Sequence, residues 1–231
     1  MAHWLRFAHR GETKFGTLSG GSIRVHAGNM FDAPRETGET VALAEKLGNA
    51  IPPEPLYFLK GNNSFLADGE VIRAPKSYAG KVVYEGELGI VIGRRATAVG
   101  EADAAAHIFG YTCINDVTAA ELIGKDASFA QWTRAKSFDT FGVFGPVVAT
   151  GLDPLALTVK TVLNGQERQN YPTADLIFPP HRLVSLISQD MTLEPGDVIC
   201  AGTSIGVGSM KPGSTVSVTI DGIGTLANRY E

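Results

Sequence analysis

Glu85 and Glu87 stand one residue apart inside the otherwise apolar run Val82-Val83-Tyr84-Glu85-Gly86-Glu87-Leu88-Gly89-Ile90-Val91-Ile92. Alternate residues of a strand point to the same face, so the two carboxylates project side by side. Two adjacent anions in a buried strand repel each other and are costly to desolvate. A hard divalent cation bound through oxygens resolves that conflict. The competing reading is an exposed polar strand face, and the apolar density on both sides argues against it.

A second acidic element is Tyr111-Thr112-Cys113-Ile114-Asn115-Asp116-Val117-Thr118. Asn-Asp at a strand end either caps the following helix or presents Asp116 as a third ligand to the same cation. Three carboxylates around Mg²⁺ or Mn²⁺ leave about three octahedral positions for water or substrate, which suits catalysis better than a closed structural site. A third element is Arg134-Ala135-Lys136-Ser137-Phe138-Asp139. Lys136 either snorkels to solvent or offsets the acidic charge and donates to a developing oxyanion. In the fourth, Pro195-Gly196-Asp197 turns into a strand that leads to Gly202-Thr203-Ser204-Ile205-Gly206-Val207-Gly208. That glycine-rich stretch is a surface turn or a backbone-plus-hydroxyl cradle for a carboxylate. It lacks the lysine and the spacings of a phosphate-binding loop or a dinucleotide fingerprint. The five histidines have no partners at metal-motif spacing and read as structural, and no nucleophile elbow is present.

These residues need strands to hold them. Residues 3–26 alternate around Gly11, Gly16, Gly20 and Gly21 and predict a small antiparallel meander. Residues 27–43 read as loop, and 44–48 as the start or end of a short helix. Leu56–Leu59 reads as a strand after the prolines at 52, 53 and 55, and 82–92 as one strong strand. Further strands are expected over 109–115, 141–149, 157–163, 198–201, 215–220 and 224–229. Asn164-Gly165 is a hairpin signal. Further helical pattern falls at 100–108, 117–123 and 180–190. The class is therefore α+β, mostly β, barrel-like, with peripheral helices. One boundary is expected, separating a small N-terminal β unit (1–43) from a metal-binding catalytic domain (44–231).

The chain has 231 residues, 44% hydrophobic and 19% charged, with a net charge of −4. No basic block supports nucleic-acid binding. No apolar run approaches the ~20 residues of a membrane span, and no signal pattern opens the chain, so a cytoplasmic enzyme is expected. Cys113 and Cys200 read as buried reduced thiols.

In combination, Glu85-Gly86-Glu87-Leu88, Asn115-Asp116-Val117-Thr118, Lys136-Ser137-Phe138-Asp139 and Pro195-Gly196-Asp197 leading to Gly202-Thr203 resemble the fumarylacetoacetate hydrolase family, from about Leu56 to Arg229. The resemblance implies a mixed β-roll fold, a homodimer, and Mg²⁺ or Mn²⁺ on Glu85, Glu87 and Asp116. It implies Lys136 as the catalytic lysine and substrate contacts from Thr203, Gly202 and Tyr57. Within the family the chain looks most like the 2-hydroxyhepta-2,4-diene-1,7-dioate isomerases and related decarboxylases of aromatic-compound degradation. The expected substrate is a 2-oxo or 2-hydroxy-dienoic acid, isomerised or decarboxylated through a metal-stabilised enolate. C–C hydrolysis of acylpyruvates or fumarylacetoacetate-like compounds is the alternative. A catalytically silent small-acid binding protein is the alternative of another class.

Three positions depart from the family pattern. Ala120 and Ile123 stand where members commonly carry Arg and Gln, and Ser204 replaces a Pro. Leu43 runs directly into Ala44-Glu45-Lys46-Leu47, where members carry a strand and a lid helix with a His. Losing a core strand leaves buried backbone groups without partners, so a lid segment of about twenty residues, skipped in the numbering, is expected there in preference to a deletion.

Overall fold

The computed structural model describes residues 3–10, 12–19, 22–29, 32–42 and 52–231. The chain divides into two compact units, Met1–Glu54 with Ala174–Ile177, and Pro55–Thr173 with Phe178–Glu231. Leu43 and Ala44, between which the lid segment is expected, lie outside the described residues. The short helix expected over 44–48 falls outside the described residues, as does the boundary expected at residue 43.

The first unit contains a four-stranded antiparallel meander in sequential order: β1 (His3–His9), β2 (Glu12–Ser19), β3 (Ser22–Asn29) and β4 (Asp32–Ala42). β4 corrects the loop expected over 27–43. Pro34 and Gly38 read as breakers, but β4 is an edge strand, where a proline leaves no interior ladder bond unmade. Two register shifts in the β3–β4 pairing absorb the irregularity.

The second unit begins with an irregular stretch. The strand expected at Leu56–Leu59 is absent, and the chain stays extended but unladdered until a 3₁₀ turn at Asn62–Ser64. Leu56 and Leu59 are 82% and 64% exposed, so this apolar segment has no sheet to bury against. The strands that follow are β5 (Phe65–Leu66), β6 (Val71–Ile72), β7 (Val82–Tyr84) and β8 (Gly86–Ile92). The strand expected over 82–92 is thus broken at Glu85. After a 3₁₀ turn at Ala104–His107 come β9 (Ile108–Asp116), β10 (Thr118–Ala119), and the helices α1 (Ala120–Ile123) and α2 (Trp132–Lys136). Next are β11 (Gly142–Ala149), β12 (Thr158–Leu163), β13 (Gln166–Pro172) and α3 (Pro180–Asp190). The chain closes with β14 (Val198–Cys200), β15 (Gly208–Ser209), β16 (Thr215–Ile220) and β17 (Gly224–Tyr230).

Two five-stranded sheets, in orders β14-β8-β9-β11-β5 and β13-β12-β16-β17-β6, form a curled half-barrel, with a small third sheet β10-β7-β15. The fold is mostly β with few helices, as the turn spacing implies. Every residue of β8 is buried, so apart from Glu87 its sequence is apolar on both faces rather than alternating. Leu88, Ile90 and Ile92 point into the core shared with Val216, Val218 and Ile220 of β16. The opposite face carries Glu87. The β12–β13 turn is Asn164-Gly165, with φ of 50° and 77°, the left-handed pair that a two-residue hairpin demands. Among the described residues no helix is long and apolar enough to cross a membrane.

Candidate metal centre

Antiparallel register builds the site. Glu87 of β8 lies opposite Ile114 of β9, and Asp116 follows two residues later on the same face. Glu85 sits at the break between β7 and β8, where its carbonyl accepts the Asp116 N–H at 2.8 Å. The Asn115 side chain accepts the Glu85 N–H at 3.1 Å, so Asn115 stabilises this break. Each of Glu85, Glu87 and Asp116 offers a carboxylate oxygen within 4.8 Å of the others. Glu87 and Asp116 are 3% and 2% exposed.

Two ammoniums face this cluster. Lys136, at the last turn of α2 and 3% exposed, donates to Glu85 Oε2 at 2.6 Å and to Asp116 Oδ2 at 2.5 Å. Lys60 donates to Asp116 Oδ1 at 2.6 Å and to the carbonyl of Lys136. Lys60 escaped the sequence reading. Its only signal is a lone cation ending the apolar run Leu56-Tyr57-Phe58-Leu59, a segment that reads as a strand. The Thr118 hydroxyl lies 3.0 Å from Glu85 Oε1 and 2.9 Å from the Asp116 carbonyl. Gly202 N–H donates to Glu87 Oε2 at 2.8 Å.

The charges perturb one another. Burial, reinforced by the Asp116 charge, pushes the Glu87 carboxyl up to about 8. Burial also raises Glu85, against the pull of Lys136. Burial alone would lower Lys136, but Asp116, Glu85 and Glu87 outweigh it and hold its ammonium protonated well above the usual range. Cys200 is raised as well, by burial and then by the Glu87 charge. Both cysteines are free thiols, Cys113 buried and Cys200 half-buried.

The donor set fits a hard divalent cation. All three ligand candidates are carboxylate oxygens, the donors such an ion prefers, and two lysine ammoniums lie against them.

The structure thus brings Glu85, Glu87, Asp116 and Lys136 together. Gly202 and Thr203 stand beside them, on the loop after β14. The Thr203 hydroxyl donates to the Gly86 carbonyl at 2.9 Å and accepts from Gln169 Nε2 at 2.8 Å, so its hydrogen is directed into the fold. Tyr57 stands apart, with its hydroxyl on Asp190 Oδ2 at 2.9 Å. It borders a cavity of about 700 Å³ that Phe58, Phe129 and Trp132 also line. Phe58 links the cavity to the acidic cluster. Its ring stacks on Trp132 at 5.6 Å and lies 5.1 Å from Lys136 Nζ.

A sequence model described as fumarylacetoacetate (FAA) hydrolase C-terminal matches residues 22–231. The solved structure of 2-hydroxyhepta-2,4-diene-1,7-dioate isomerase from Mycobacterium marinum is 37% identical, with a TM-score of 0.74, covering 100% of this chain and 99% of that one. Oxaloacetate tautomerase YisK of Bacillus subtilis is 36% identical over 78% of this chain and 62% of its own. Fumarylpyruvate hydrolase from Pseudomonas aeruginosa, solved in complex with Mn²⁺ and pyruvate, is 27% identical with a TM-score of 0.74, covering 81% of this chain and 83% of that one.

Proposed function

The chain belongs to the fumarylacetoacetate hydrolase family, and from that premise we propose that it is a Mg²⁺- or Mn²⁺-dependent enzyme that isomerises, tautomerises or decarboxylates 2-oxo or 2-hydroxy-dienoic acids. The observation that carries the reading is the buried cluster of Glu85, Glu87 and Asp116 with the Lys136 ammonium inside it. Relatives with the names isomerase, tautomerase and hydrolase, one of them holding Mn²⁺ and pyruvate, support the same chemistry.

Glu85, Glu87 and Asp116 would hold the cation, which would supply Lewis acidity to the substrate acid. Lys136 stays protonated throughout the physiological range, so it serves as a permanent positive charge rather than a base. It donates to the negative charge that develops on the 2-oxygen when a proton or CO₂ leaves the adjacent carbon. Lys60 adds a second positive charge on the far side of Asp116. Gly202 N–H orients Glu87. Because the Thr203 hydroxyl is directed to Gly86, we assign the backbone N–H of Thr203 to the substrate carboxylate. The remainder of the acid lies along Phe58 towards Trp132. C–C hydrolysis of acylpyruvates or fumarylacetoacetate-like compounds is the second reading, and it would need in addition a general base that activates water.

The test is a spectrophotometric panel of oxaloacetate, acylpyruvates and 2-hydroxy-diene dioates, each with Mn²⁺, with Mg²⁺ and with EDTA. Turnover that requires the metal is expected on at least one, and the product names the reaction. Turnover undiminished by EDTA, or none on any member, refutes the proposal.

A further inference from the structure

Gly86, between the two glutamates, has its peptide groups held by side chains from β13 of the other five-stranded sheet and from the loop after β14. Its N–H donates to Gln169 Oε1 at 3.0 Å. Its carbonyl accepts the Tyr171 hydroxyl at 2.8 Å and the Thr203 hydroxyl at 2.9 Å. Gln169 and Tyr171 are alternate residues of β13 and point the same way. Gln169 is 2% exposed, and its amide nitrogen donates to Thr203 Oγ1 at 2.8 Å and to the Ser204 carbonyl at 3.0 Å. One amide therefore touches both the ligand-bearing strand and the loop that presents Gly202 to Glu87.

We infer that Gln169 is a positioning residue, a buried clamp that sets the loop at 202–204 against the strand at 85–87 and so fixes both Glu87 and the Thr203 N–H. Three hydrogen bonds from one planar group define the separation of two segments more than a hundred residues apart in sequence. The Gly202–Glu87 bond follows from that separation. The clamp deepens the metal-dependent reading above and rests on it.

Two variants test the clamp: Gln169→Met, which keeps the length of the side chain and removes all three bonds, and Thr203→Val, which cuts the link from the loop side. The first readout is amide hydrogen exchange of the peptide covering 201–206, measured without metal. Exchange faster by about tenfold or more is expected in both variants, and wild-type protection in both overturns the clamp. The second readout is the Mn²⁺ dissociation constant with KM and kcat, taken well below the melting temperature. Loss of a residue that orients a metal ligand typically weakens metal binding by about 10–100-fold. Gln169→Met is expected to fall in that range, with KM raised more than kcat is lowered. A lower melting temperature with Mn²⁺ affinity and KM within twofold of wild type marks Gln169 as purely structural and overturns its positioning role. If Gln169→Met does not fold, Thr203→Val carries both readouts. If the wild-type protein neither binds Mn²⁺ nor turns over any 2-oxo acid, the metal-dependent reading fails by itself, and the exchange rates still decide the clamp.

Discussion

Replacing Lys136 with Met removes the ammonium that bridges Glu85 and Asp116 and leaves Lys60, among the described residues, as the remaining cation on the cluster. The group removed is 3% exposed, and its partners are buried or nearly so, so solvent screens little of the change. Removing one partner of a buried ion pair costs about 3–5 kcal/mol, because the other charge stays buried and uncompensated. At about 2–4 °C per kcal/mol for domains of this size, the metal-free variant is expected to melt roughly 6–20 °C below the metal-free wild type. The sign then reverses with metal. Lys136 repels an incoming cation, so its loss raises affinity for Mn²⁺ while abolishing turnover. Saturation at 100 times the dissociation constant stabilises a protein by about 2.7 kcal/mol, so a tighter site recovers more of its melting temperature at a fixed Mn²⁺ concentration. The assay is thermal melting of both proteins in EDTA and across a Mn²⁺ titration. An equal or smaller Mn²⁺ increment in Lys136→Met than in wild type refutes the argument that this ammonium and the metal serve the same carboxylates.

Glu87 sets a pH dependence. Its folded-state carboxyl titrates at about 8, against an ordinary value of 4.5, so between those values the folded protein binds a proton that the unfolded chain has lost. Metal-free stability should therefore fall as pH rises through this window, by up to about 1.4 kcal/mol per unit, and level off above about 8. Mn²⁺ affinity should rise over the same window, by up to about tenfold per unit, as the metal displaces that proton. Melting in EDTA and Mn²⁺ titrations from pH 6 to 9 check both, and Glu87→Gln should flatten both profiles. Gly86→Ala would place a Cβ 1.9 Å from Thr161 Oγ1 and 3.2 Å from Thr161 Cβ. Overpacking of this kind costs about 1–3 kcal/mol, and Thr161→Ala in the same chain should restore most of the lost melting temperature. Failure of Thr161→Ala to rescue would show that the constraint on Gly86 is not this contact.

What could be read in the sequence, and what could not, separates by the range of the interaction. Glu85 and Glu87 stood out because two anions in a run as apolar as Val82–Ile92 violate a local expectation, and a violation can be seen without knowing the partner strand. The Asn164-Gly165 turn and the helix at Pro180–Asp190 were legible for the same local reason. β4 was not. Its proline and glycine are breakers in isolation, and only its place at the sheet edge makes them tolerable. The segment Leu56–Leu59 erred in the other direction, since its apolar residues carry strand propensity but meet no sheet. Lys60 and Gln169 were invisible because each owes its role to a residue far away in the chain, Asp116 in one case and Gly86 in the other.

The same distinction explains why the acidic residues are easier to find than the groups that make them usable. Burial draws the carboxyls of Glu85 and Glu87 towards neutrality, as their upward displacement shows. The charge of Lys136 pulls both back towards the ionised form that a cation requires. Binding a divalent ion then redistributes positive charge already present instead of charging a neutral hole, and the desolvation cost of the anions is met at folding and not at binding. Geometry is prepared in the same way. The Gly202 N–H on Glu87 and the Asn115 amide on the Glu85 backbone hold the ligands before a metal arrives. A site arranged like this should bind metal with little change in the backbone of β8 and β9, and the ammonium of Lys136 should be the group that moves.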